Sequence, residues 1–288
     1  MVKTYFHILI ASTLCSCNKF EIKGLFMPTS DVVQTRFEQS ADMNDGLKAG
    51  VVEAEENYVF YAAADPHVIK TNRYLSIFND IFRNDCMASF SLILGDCSSA
   101  RGNLPKYLDA LAYCPERHDF DHRIFHTLGN HDVYFDGWKD FKELAGPSVY
   151  WFEVVFPQGK DLYIALDTAT GTLGRKQTEW FRNFLEKNRN SYRHCIIFTH
   201  TNLFYKDNSQ TGSGNMPVEE TWSLIDLLGR QNVSLVLQGH DHYREEITYD
   251  NVLYTIVGTI SDRSKAPEFL RVEVTSEEIH LDWNSIIS

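Results

Sequence analysis

Short apolar runs and amphipathic segments alternate along most of the chain. From residue 57 onward, apolar runs of strand length are followed by segments whose apolar residues recur every three or four positions, which predicts strands followed by helices. In the segment 70–84, for example, five apolar positions are spaced as one face of a helix: Tyr74, Ile77, Phe78, Ile81 and Phe82. Strands are predicted at 58–63, 90–94, 123–128, 162–166, 195–198 and 233–237, and helices at 70–84, 104–113, 175–189 and 219–228. The remaining segment, 252–283, alternates like antiparallel strands.

This alternation predicts an α/β fold with a largely parallel sheet. Five of the predicted strands end directly in Asp, Asn or His, and in open α/β sheets a ligand site lies beyond the carboxyl ends of the strands. We therefore expect the five polar clusters to converge on one rim. The clusters are Asp65-Pro66-His67, Gly95-Asp96, Gly129-Asn130-His131-Asp132, Thr199-His200 and Gly239-His240-Asp241-His242.

The composition is that of an ordinary globular protein with a strongly acidic balance. Hydrophobic residues make up 43% of the chain, and the formal net charge is −12. This charge argues against a stable nucleic-acid partner, because nucleic-acid sites need a basic surface. It is compatible with a small anionic substrate, since bound metal cations reverse the local field.

The N-terminus has the pattern of an export signal. Lys3 precedes an apolar run at 5–14 that is too short to span a bilayer, so residues 1–16 are predicted to be a signal peptide. The sequence around Cys17 resembles the lipobox of bacterial lipoproteins, although Cys15 fills a slot that more often holds Ala, Ser or Thr. On this interpretation Cys17 carries a lipid anchor to the membrane, and the alternative is an ordinary secretory signal. Either places the mature protein in the periplasm or at the cell surface.

The chain after the signal peptide divides in two. Residues 17–56 are polar and irregular, and we interpret them as a lipidated tether and N-terminal extension ahead of one domain at 57–288. Whether the stretch from Val32 to Phe37 packs on the domain stays open at this point. Four cysteines remain, and their spacing specifies no disulfide. They are Cys86, Cys97, Cys114 and Cys195.

The five polar clusters supply the ligand types of a two-metal hydrolase. Such sites hold two ions about 3.5–4 Å apart with oxygen and nitrogen ligands from several chain segments. A carboxylate can bridge the ions, and imidazoles favour Mn, Fe or Zn over Ca or Mg. The candidate ligands, all at predicted strand ends, are Asp65, His67, Asp96, Asn130, His200, His240 and His242.

Five motifs occur along the chain in the order Asp-x-His, Gly-Asp, Gly-Asn-His-Asp, a strand-terminal His and Gly-His-x-His. In this order the chain resembles the calcineurin-like metallophosphoesterases over roughly residues 57–258. The resemblance implies a sandwich of two mixed sheets flanked by helices, with a dinuclear site at one rim. It also implies how the seven ligands divide: Asp65, His67 and His242 on a first metal, Asp96 as the bridge, and Asn130, His200 and His240 on a second.

The same resemblance implies a hydrolase of phosphodiesters or phosphomonoesters that uses in-line attack by a metal-bound hydroxide. His131 would donate a proton or hydrogen bond to the leaving-group oxygen. Asp132 would orient the imidazole of His131. The glycines before Asp96, Asn130 and His240 are expected to let the backbone approach the ions closely.

Two features bear on the subclass. Purple acid phosphatases, a related group, place a Tyr where this chain has Ser99, so their iron site is not expected here. The segment 167–186, with Gly171-Thr172-Leu173 and Gln177-Thr178-Glu179-Trp180, is similar to the cyclic-nucleotide phosphodiesterase branch. Packing of a helix on the sheet explains Gln177 and Trp180 equally well.

Substrate selection is expected from loops at 97–103 and 205–218. Arg101 is a candidate phosphate contact, although a solvated side chain is favoured, and His118, His122 and His126 are favoured as part of a polar surface loop rather than as ligands. Two other functions remain open. One is a non-catalytic metal-binding or scaffold lipoprotein that keeps the fold, and the other is a hydrolase of a non-phosphate ester.

Overall fold

The computed structural model of the chain describes residues 29–99, 103–111, 123–204 and 216–286. Several sequence-based predictions fall outside these ranges and stay predictions. They are the signal peptide at 1–16, the lipid anchor at Cys17, the roles of Arg101, Cys114, His118 and His122, and most of the loop at 205–218.

The described residues form seven α-helices and twelve strands. The helices are α1 (Thr29–Met43), α2 (Arg73–Asn84), α3 (Leu104–Ala110), α4 (Asn130–Val133), α5 (Trp138–Leu144), α6 (Gly174–Asn188) and α7 (Val218–Arg230). The strands are β1 (Lys48–Glu53), β2 (Tyr58–Ala63), β3 (Ala88–Ile93), β4 (Arg123–His126), β5 (Tyr150–Phe156), β6 (Gly159–Ala165), β7 (Cys195–Phe198), β8 (Leu235–Gln238), β9 (Glu245–Tyr249), β10 (Val252–Ile256), β11 (Glu268–Val274) and β12 (Ile279–Ser285). Short 3-10 turns occur at Asp45–Leu47, Tyr134–Asp136 and Arg189–Ser191.

The strands form two mixed sheets. One has seven strands in the order β1-β5-β6-β7-β8-β10-β9, and the other has five in the order β12-β11-β2-β3-β4. The strands β2, β3 and β4 run parallel, as do β6, β7, β8 and β10, whereas the strands at the other edges pair partly antiparallel. The expected α/β fold is confirmed, but the parallel strands are shared between two sheets rather than joined in one.

The two sheets pack face to face through aromatic side chains. Phe60 and Phe90 project from the five-stranded sheet, and Phe152 and Tyr163 meet them from the seven-stranded sheet, all fully buried. The ring of Phe90 lies 5.1 Å from that of Tyr163 and 5.4 Å from that of Phe152, in edge-to-face contacts that favour both partners. This core establishes the predicted two-sheet sandwich.

Helices cover the outer face of each sheet. Tyr61 alternates with Phe60 along β2, so it points outward and contacts Phe78 of α2. On the other side, Phe181 and Leu185 of α6 pack over Leu162 and other residues of the seven-stranded sheet. A strand buried on both faces reads as a continuous apolar run, which is why β2 was recognised to the residue from its sequence.

The description of residues 17–56 as irregular is wrong for 29–53. Helix α1 packs on α6, with the ring of Phe37 5.9 Å from that of Trp180, and β1 pairs in parallel with β5 at the sheet edge. The buried face of α1 is formed by Val33, Arg36 and Ser40, of which two are polar. The helical period was therefore invisible to a search for apolar residues.

Among the described residues, no helix combines the length and apolar character that a membrane crossing requires. Cys97 and Cys195 are buried free thiols and Cys86 is an exposed one.

Candidate metal centre

The five polar clusters meet at one end of the sandwich. Three follow β2, β3 and β4 of one sheet, and two follow β7 and β8 of the other. The two sheets therefore contribute side chains to one site from opposite sides, and all seven predicted ligands lie in it. The ring of His126, in contrast, is buried beside Tyr107, away from this cluster, and burial lowers its pKa to about 4.

The backbone is strained at this rim. Five of the candidate ligands have left-handed φ angles, a conformation that side chains larger than glycine rarely adopt. Such residues persist where the surrounding structure holds them, and they concentrate at functional sites. They are Asp65 (φ 53°), His67 (φ 47°), Asp96 (φ 50°), His240 (φ 76°) and His242 (φ 59°).

A first group of donor atoms comprises Asp65, His67 and His242. Nε2 of His67 lies 3.0 Å from Nε2 of His242, and these atoms lie 3.9 and 3.4 Å from Oδ1 of Asp65. This carboxylate oxygen is buried and has no hydrogen-bond partner among the described residues. Two ligands about 2.1 Å from a shared ion lie about 3.0–3.4 Å apart, so the two separations that involve His242 suit one cation, whereas that between His67 and Asp65 is wider.

A second group comprises Asp96, Asn130, His200 and His240. Nε2 of His200 lies 3.0 Å from Oδ1 of Asn130, 3.5 Å from Oδ1 of Asp96 and 3.2 Å from Nδ1 of His240. On its other side, Nδ1 of His200 donates to the carbonyl oxygen of Leu94 at 2.7 Å. A neutral His200 therefore carries a lone pair on Nε2.

The contact between His200 and Asn130 brings two acceptors together. The amide nitrogen of Asn130 donates to the hydroxyl of Tyr134 at 2.9 Å, which turns the amide oxygen toward Nε2 of His200. When His200 is neutral, two lone pairs 3.0 Å apart face each other, and they repel unless a cation lies between them. The donor set of the second group thus also fits a metal ion.

Asp96 connects the two groups. Its Oδ1 faces His200, and its Oδ2 lies 3.6 Å from Nε2 of His67. The side chain is 2% exposed, and burial raises its pKa well above the ordinary value. A bound cation would keep the carboxylate ionised. One carboxylate with an oxygen toward each group is the arrangement expected of a bridging ligand.

The electrostatics of the first group point the same way. Burial lowers the pKa of His67 to about 3, so its ring is neutral and has a lone pair for a metal ion. Burial acts to raise the pKa of Asp65, but the ring of His242, with its Nε2 3.4 Å from Oδ1 of Asp65, holds it below the ordinary value. Neutral imidazole and ionised carboxylate are the forms that bind metals, so His67 and Asp65 are in the binding form. Burial acts to lower the pKa of His242, but the carboxylate of Asp65 raises it above the ordinary value, so an ion bound here would displace a proton from His242.

His131 lies beside Asp96 with its ring partly open to solvent. Its Nε2 is 3.9 Å from Oδ2 of Asp96, and its side chain is 26% exposed. The backbone nitrogen of His131 donates to Oδ1 of Asp96 at 2.8 Å. The predicted proton donor is therefore next to the candidate bridging ligand, on the side open to solvent.

The prediction for Asp132 is wrong in its partner. The carboxylate accepts hydrogen bonds from the backbone nitrogens of Cys97, Ser98 and Gly129 at 3.2, 3.0 and 3.0 Å. Nδ1 of His131 instead faces the carbonyl oxygen of Ser99 at 3.2 Å. Asp132 is the third residue of α4, so its side chain turns back toward the helix start. These hydrogen bonds connect the turn after β3, which holds Cys97 and Ser98, to the turn after β4, which holds Gly129.

The glycines before the ligands leave space for ligands from other segments. A Cβ on Gly129 would lie 2.1 Å from the backbone nitrogen of Asp96, and one on Gly95 would lie 2.6 Å from Nδ1 of His200. The close approach seen here is to ligand residues, and the expected approach of the backbone to the ions stays a prediction.

The residues that suggested the cyclic-nucleotide branch have packing roles. The amide of Gln177 is fully buried and accepts from the backbone nitrogen of Asp167 at 2.8 Å while donating to its carbonyl oxygen at 3.0 Å. Trp180 packs against Phe37 and Phe184. The helix-packing alternative explains both. The hydroxyl of Ser99 donates to the carbonyl oxygen of His67 at 2.8 Å.

The chain is similar to a known protein family. A family model described as Calcineurin-like phosphoesterase matches residues 58–244. No curated protein sequence matches the chain.

Solved structures share the fold at low sequence identity. A dimetal phosphatase from Danio rerio has a TM-score of 0.62 at 13% identity, covering 79% of this chain and 96% of the other. A Plasmodium protein described as the anchor in the inner membrane complex has a TM-score of 0.61 at 16% identity, covering 80% and 85%. A purple acid phosphatase from yellow lupin (Lupinus luteus) seeds has a TM-score of 0.60 at 15% identity, covering 80% and 52%. At these identities the likeness shows the fold alone.

Proposed function

Because the chain belongs to the calcineurin-like phosphoesterase family, we propose that it is a metal-dependent hydrolase of phosphate esters, either diesters or monoesters. The observation that carries this proposal is the pair of donor groups that share Asp96, with the imidazole of His131 beside them. The groups would hold two ions of Mn, Fe or Zn, the metals that mixed carboxylate and imidazole sets favour.

The seven ligands have the roles that the family pattern implies. Asp65, His67 and His242 would hold one ion, and Asn130, His200 and His240 would hold the other. Asp96 lies between them. When bound, the two ions lower the pKa of an attacking water and neutralise charge on the phosphoryl oxygens.

The protein side chains orient the substrate and handle the leaving-group proton. His242 has 42% of its side chain exposed and His131 has 26%, whereas those of Asp65, Asp96 and His200 are buried, so the substrate approaches over the two exposed rings. Nδ1 of His131 donates to the carbonyl oxygen of Ser99. With Nδ1 turned to Ser99, Nε2 is the nitrogen on the side open to solvent. In its imidazolium form His131 would donate the Nε2 proton to the departing ester oxygen and return to the neutral ring, a contribution typically of about 10²–10⁴ in rate for general acids.

The test compares metals and substrates on the purified full-length chain in detergent. Mn²⁺, Fe²⁺ and Zn²⁺ are supplied in turn to the metal-stripped protein, with bis(p-nitrophenyl) phosphate and p-nitrophenyl phosphate as substrates. Asp96→Ala removes the bridging ligand. Asp85→Ala is the matched control, because Asp85 lies before β3, at the end opposite Asp96, and pairs with Arg271 at 3.1 Å.

We expect metal-dependent turnover that Asp96→Ala abolishes and Asp85→Ala retains. The preferred substrate then separates phosphodiesterase from phosphomonoesterase. Turnover of acyl esters with none of phosphate esters would instead indicate the non-phosphate ester hydrolase.

A non-catalytic scaffold is the second candidate. The anchor protein from Plasmodium has the same fold, so the fold can serve in an assembly. The complete ligand set and His131 favour the hydrolase, because a scaffold has no need of either. Protein that binds two ions and hydrolyses neither substrate with any metal would support the scaffold.

We also propose that the protein is exported and anchored to the cell envelope through Cys17, with a small phosphate ester as its partner and no stable nucleic acid. The export pattern of residues 1–16 and the net charge of −12 support this. Metabolic labelling with an alkyne fatty acid tests the anchor. We expect Cys17→Ser to lose the label and Cys15→Ser to keep it, and label retained in Cys17→Ser would contradict the anchor.

A further inference from the structure

Helix α1 is held to the domain by a buried ion pair. Nε and Nη2 of Arg36 donate to the two carboxylate oxygens of Asp167 at 2.7 and 2.9 Å, and Nη2 also donates to the hydroxyl of Thr170 at 3.1 Å. Arg36 is 1% exposed and Asp167 is fully buried. The pair joins a helix near the N-terminus to the loop that follows β6.

Stability alone is a weak explanation of this pair. Removing two charges from water costs free energy that their attraction often fails to recover. Nη1 of Arg36 is also buried and has no hydrogen-bond partner among the described residues. An apolar contact would hold α1 without the cost of desolvating two charges, so the pair is better explained by the loop that it positions.

The loop after β6 is bonded to both neighbours of His200. The hydroxyl of Thr168, the residue after Asp167, lies 2.8 Å from that of Thr199 and accepts from the backbone nitrogen of Thr201 at 2.9 Å. The hydroxyl of Thr201 donates to the carbonyl oxygen of Thr168 at 2.9 Å. Thr168 therefore fixes the backbone on either side of a candidate metal ligand.

The ring of His200 is also held from the five-stranded sheet, through Nδ1 and the carbonyl oxygen of Leu94. The orientation of Nε2 toward Asn130 therefore depends on two sets of hydrogen bonds, those of Thr168 with the neighbours of His200 and that of Leu94 with the ring. The support from the seven-stranded sheet passes from Arg36 through Asp167 and Thr168 to His200.

We propose that Arg36 is a positioning residue for the second metal group. Through Asp167 and Thr168 it holds His200 in place, and so sets the affinity of the ion bound by Asp96, Asn130, His200 and His240. This inference rests on the proposed two-metal centre but not on turnover. Helix α1 then contributes to metal binding, because it carries Arg36.

The experiment measures ion binding directly. The full-length chain is stripped of metal and titrated with Mn²⁺, with free ion followed by its EPR signal and the two-ion state by the spectrum of exchange-coupled Mn²⁺. Arg36→Met breaks the ion pair at similar side-chain length, and Arg36→Lys keeps the charge. Thr168→Val removes the next link with little change in volume, and serves if Arg36→Met fails to fold.

The matched control is Arg193→Met. Arg193 forms a comparable pair with the buried Asp161, at 2.6 Å, beside the start of β7 at the opposite end from His200. Both Arg36→Met and Arg193→Met should lower the melting temperature, but only Arg36→Met should weaken metal binding. The control therefore separates lost positioning of His200 from general destabilisation.

We expect Arg36→Met and Thr168→Val to weaken the second ion about tenfold or more, the lower range for residues behind metal ligands. The first ion should bind within about twofold of wild type, Arg36→Lys should restore part of the loss, and Arg193→Met should change neither ion. Unchanged second-ion affinity in both Arg36→Met and Thr168→Val overturns the inference, as does equal weakening in Arg193→Met. A wild-type chain that takes up no second ion contradicts the proposed function instead.

Discussion

The imidazole of His131 is held by the backbone of Ser99 and not by the neighbouring Asp132. Nδ1 of His131 lies 3.2 Å from the carbonyl oxygen of Ser99, whereas the carboxylate of Asp132 accepts hydrogen bonds from backbone nitrogens and a serine hydroxyl. The two adjacent residues therefore have separable roles. One lies where it can reach a leaving group, and the other ties together the turns that carry the ligands.

Replacement of His131 by alanine should separate catalysis from metal binding. We expect His131→Ala to bind two ions as wild type does, and to lose about 10²–10⁴ in turnover of substrates with poor leaving groups. The loss should be smaller for p-nitrophenyl esters, because p-nitrophenolate leaves without a proton. Metal content and turnover across leaving groups of increasing pKa provide the measurement. Loss of metal together with turnover would make His131 a ligand.

Replacement of Asp132 should act through stability. Asp132→Ala leaves the backbone nitrogens of Cys97, Ser98 and Gly129 without their buried acceptor, so the free energy of unfolding should fall by about 3 kcal/mol. Asp132→Asn keeps one oxygen and should lose less. The leaving-group dependence of the remaining turnover should match wild type, since Asp132 does not contact the imidazole of His131. A steeper dependence in Asp132→Asn would restore the original prediction that Asp132 orients the ring.

A methyl group on Gly129 should disrupt the centre. The Cβ of Gly129→Ala would lie 2.2 Å from Oδ1 of Asp96 and nearer still to its backbone nitrogen, so one turn must shift. We expect metal uptake to fall and the free energy of unfolding to drop by about 2 kcal/mol or more.

Gly159→Ala is the control for this change. The added Cβ would meet only the ring of Phe156, at 3.1 Å, which is a side chain that can move. We expect normal metal content in this variant. Normal metal content in Gly129→Ala as well would contradict the close packing of the turns.

Glu153 should make the fold sensitive to acid at the end of the sandwich away from the metal centre. Burial acts to raise its pKa, but hydrogen bonds from Lys160, Lys48 and Tyr192 lower it from 4.5 to about 2. A group whose pKa is lower in the folded state stabilises the fold above its unfolded pKa and loses that contribution as the pH falls. The contribution is therefore complete above about pH 5 and disappears toward pH 2.

The measurement is the free energy of unfolding of wild type minus that of Glu153→Gln, in EDTA, from pH 7 to pH 2.5. We expect the difference to shrink by about 2 kcal/mol across this range, after allowance for the half-exposed lysines. A difference that does not change with pH would show that the lysine contacts are too well screened to shift the pKa of Glu153.

The strands that carry the ligands could be predicted because they are buried on both faces. Such strands are short apolar runs, and β2 and β7 were located to the residue at 58–63 and 195–198. The edge strands β1 and β9 were missed because solvent covers much of each, and in β1 only Val52 is buried. Helix α1 was missed because its inward face includes Arg36 and Ser40, which bind the domain through hydrogen bonds to Asp167 and Ser148 and not through apolar contacts.

The sequence alone determined which residues form the site, since the ligand types follow strand ends and strand ends meet at a rim. It could not determine the orientation of those side chains. The carbonyl oxygens that hold His131 and His200 belong to Ser99 and Leu94, and a backbone carbonyl has no identity in a sequence pattern. Only the tertiary structure decides which carbonyl faces which ring. For His200 and Leu94 this depends on how the two sheets pack together, and for His131 and Ser99 it depends on how the segments after the neighbouring strands β3 and β4 lie against each other.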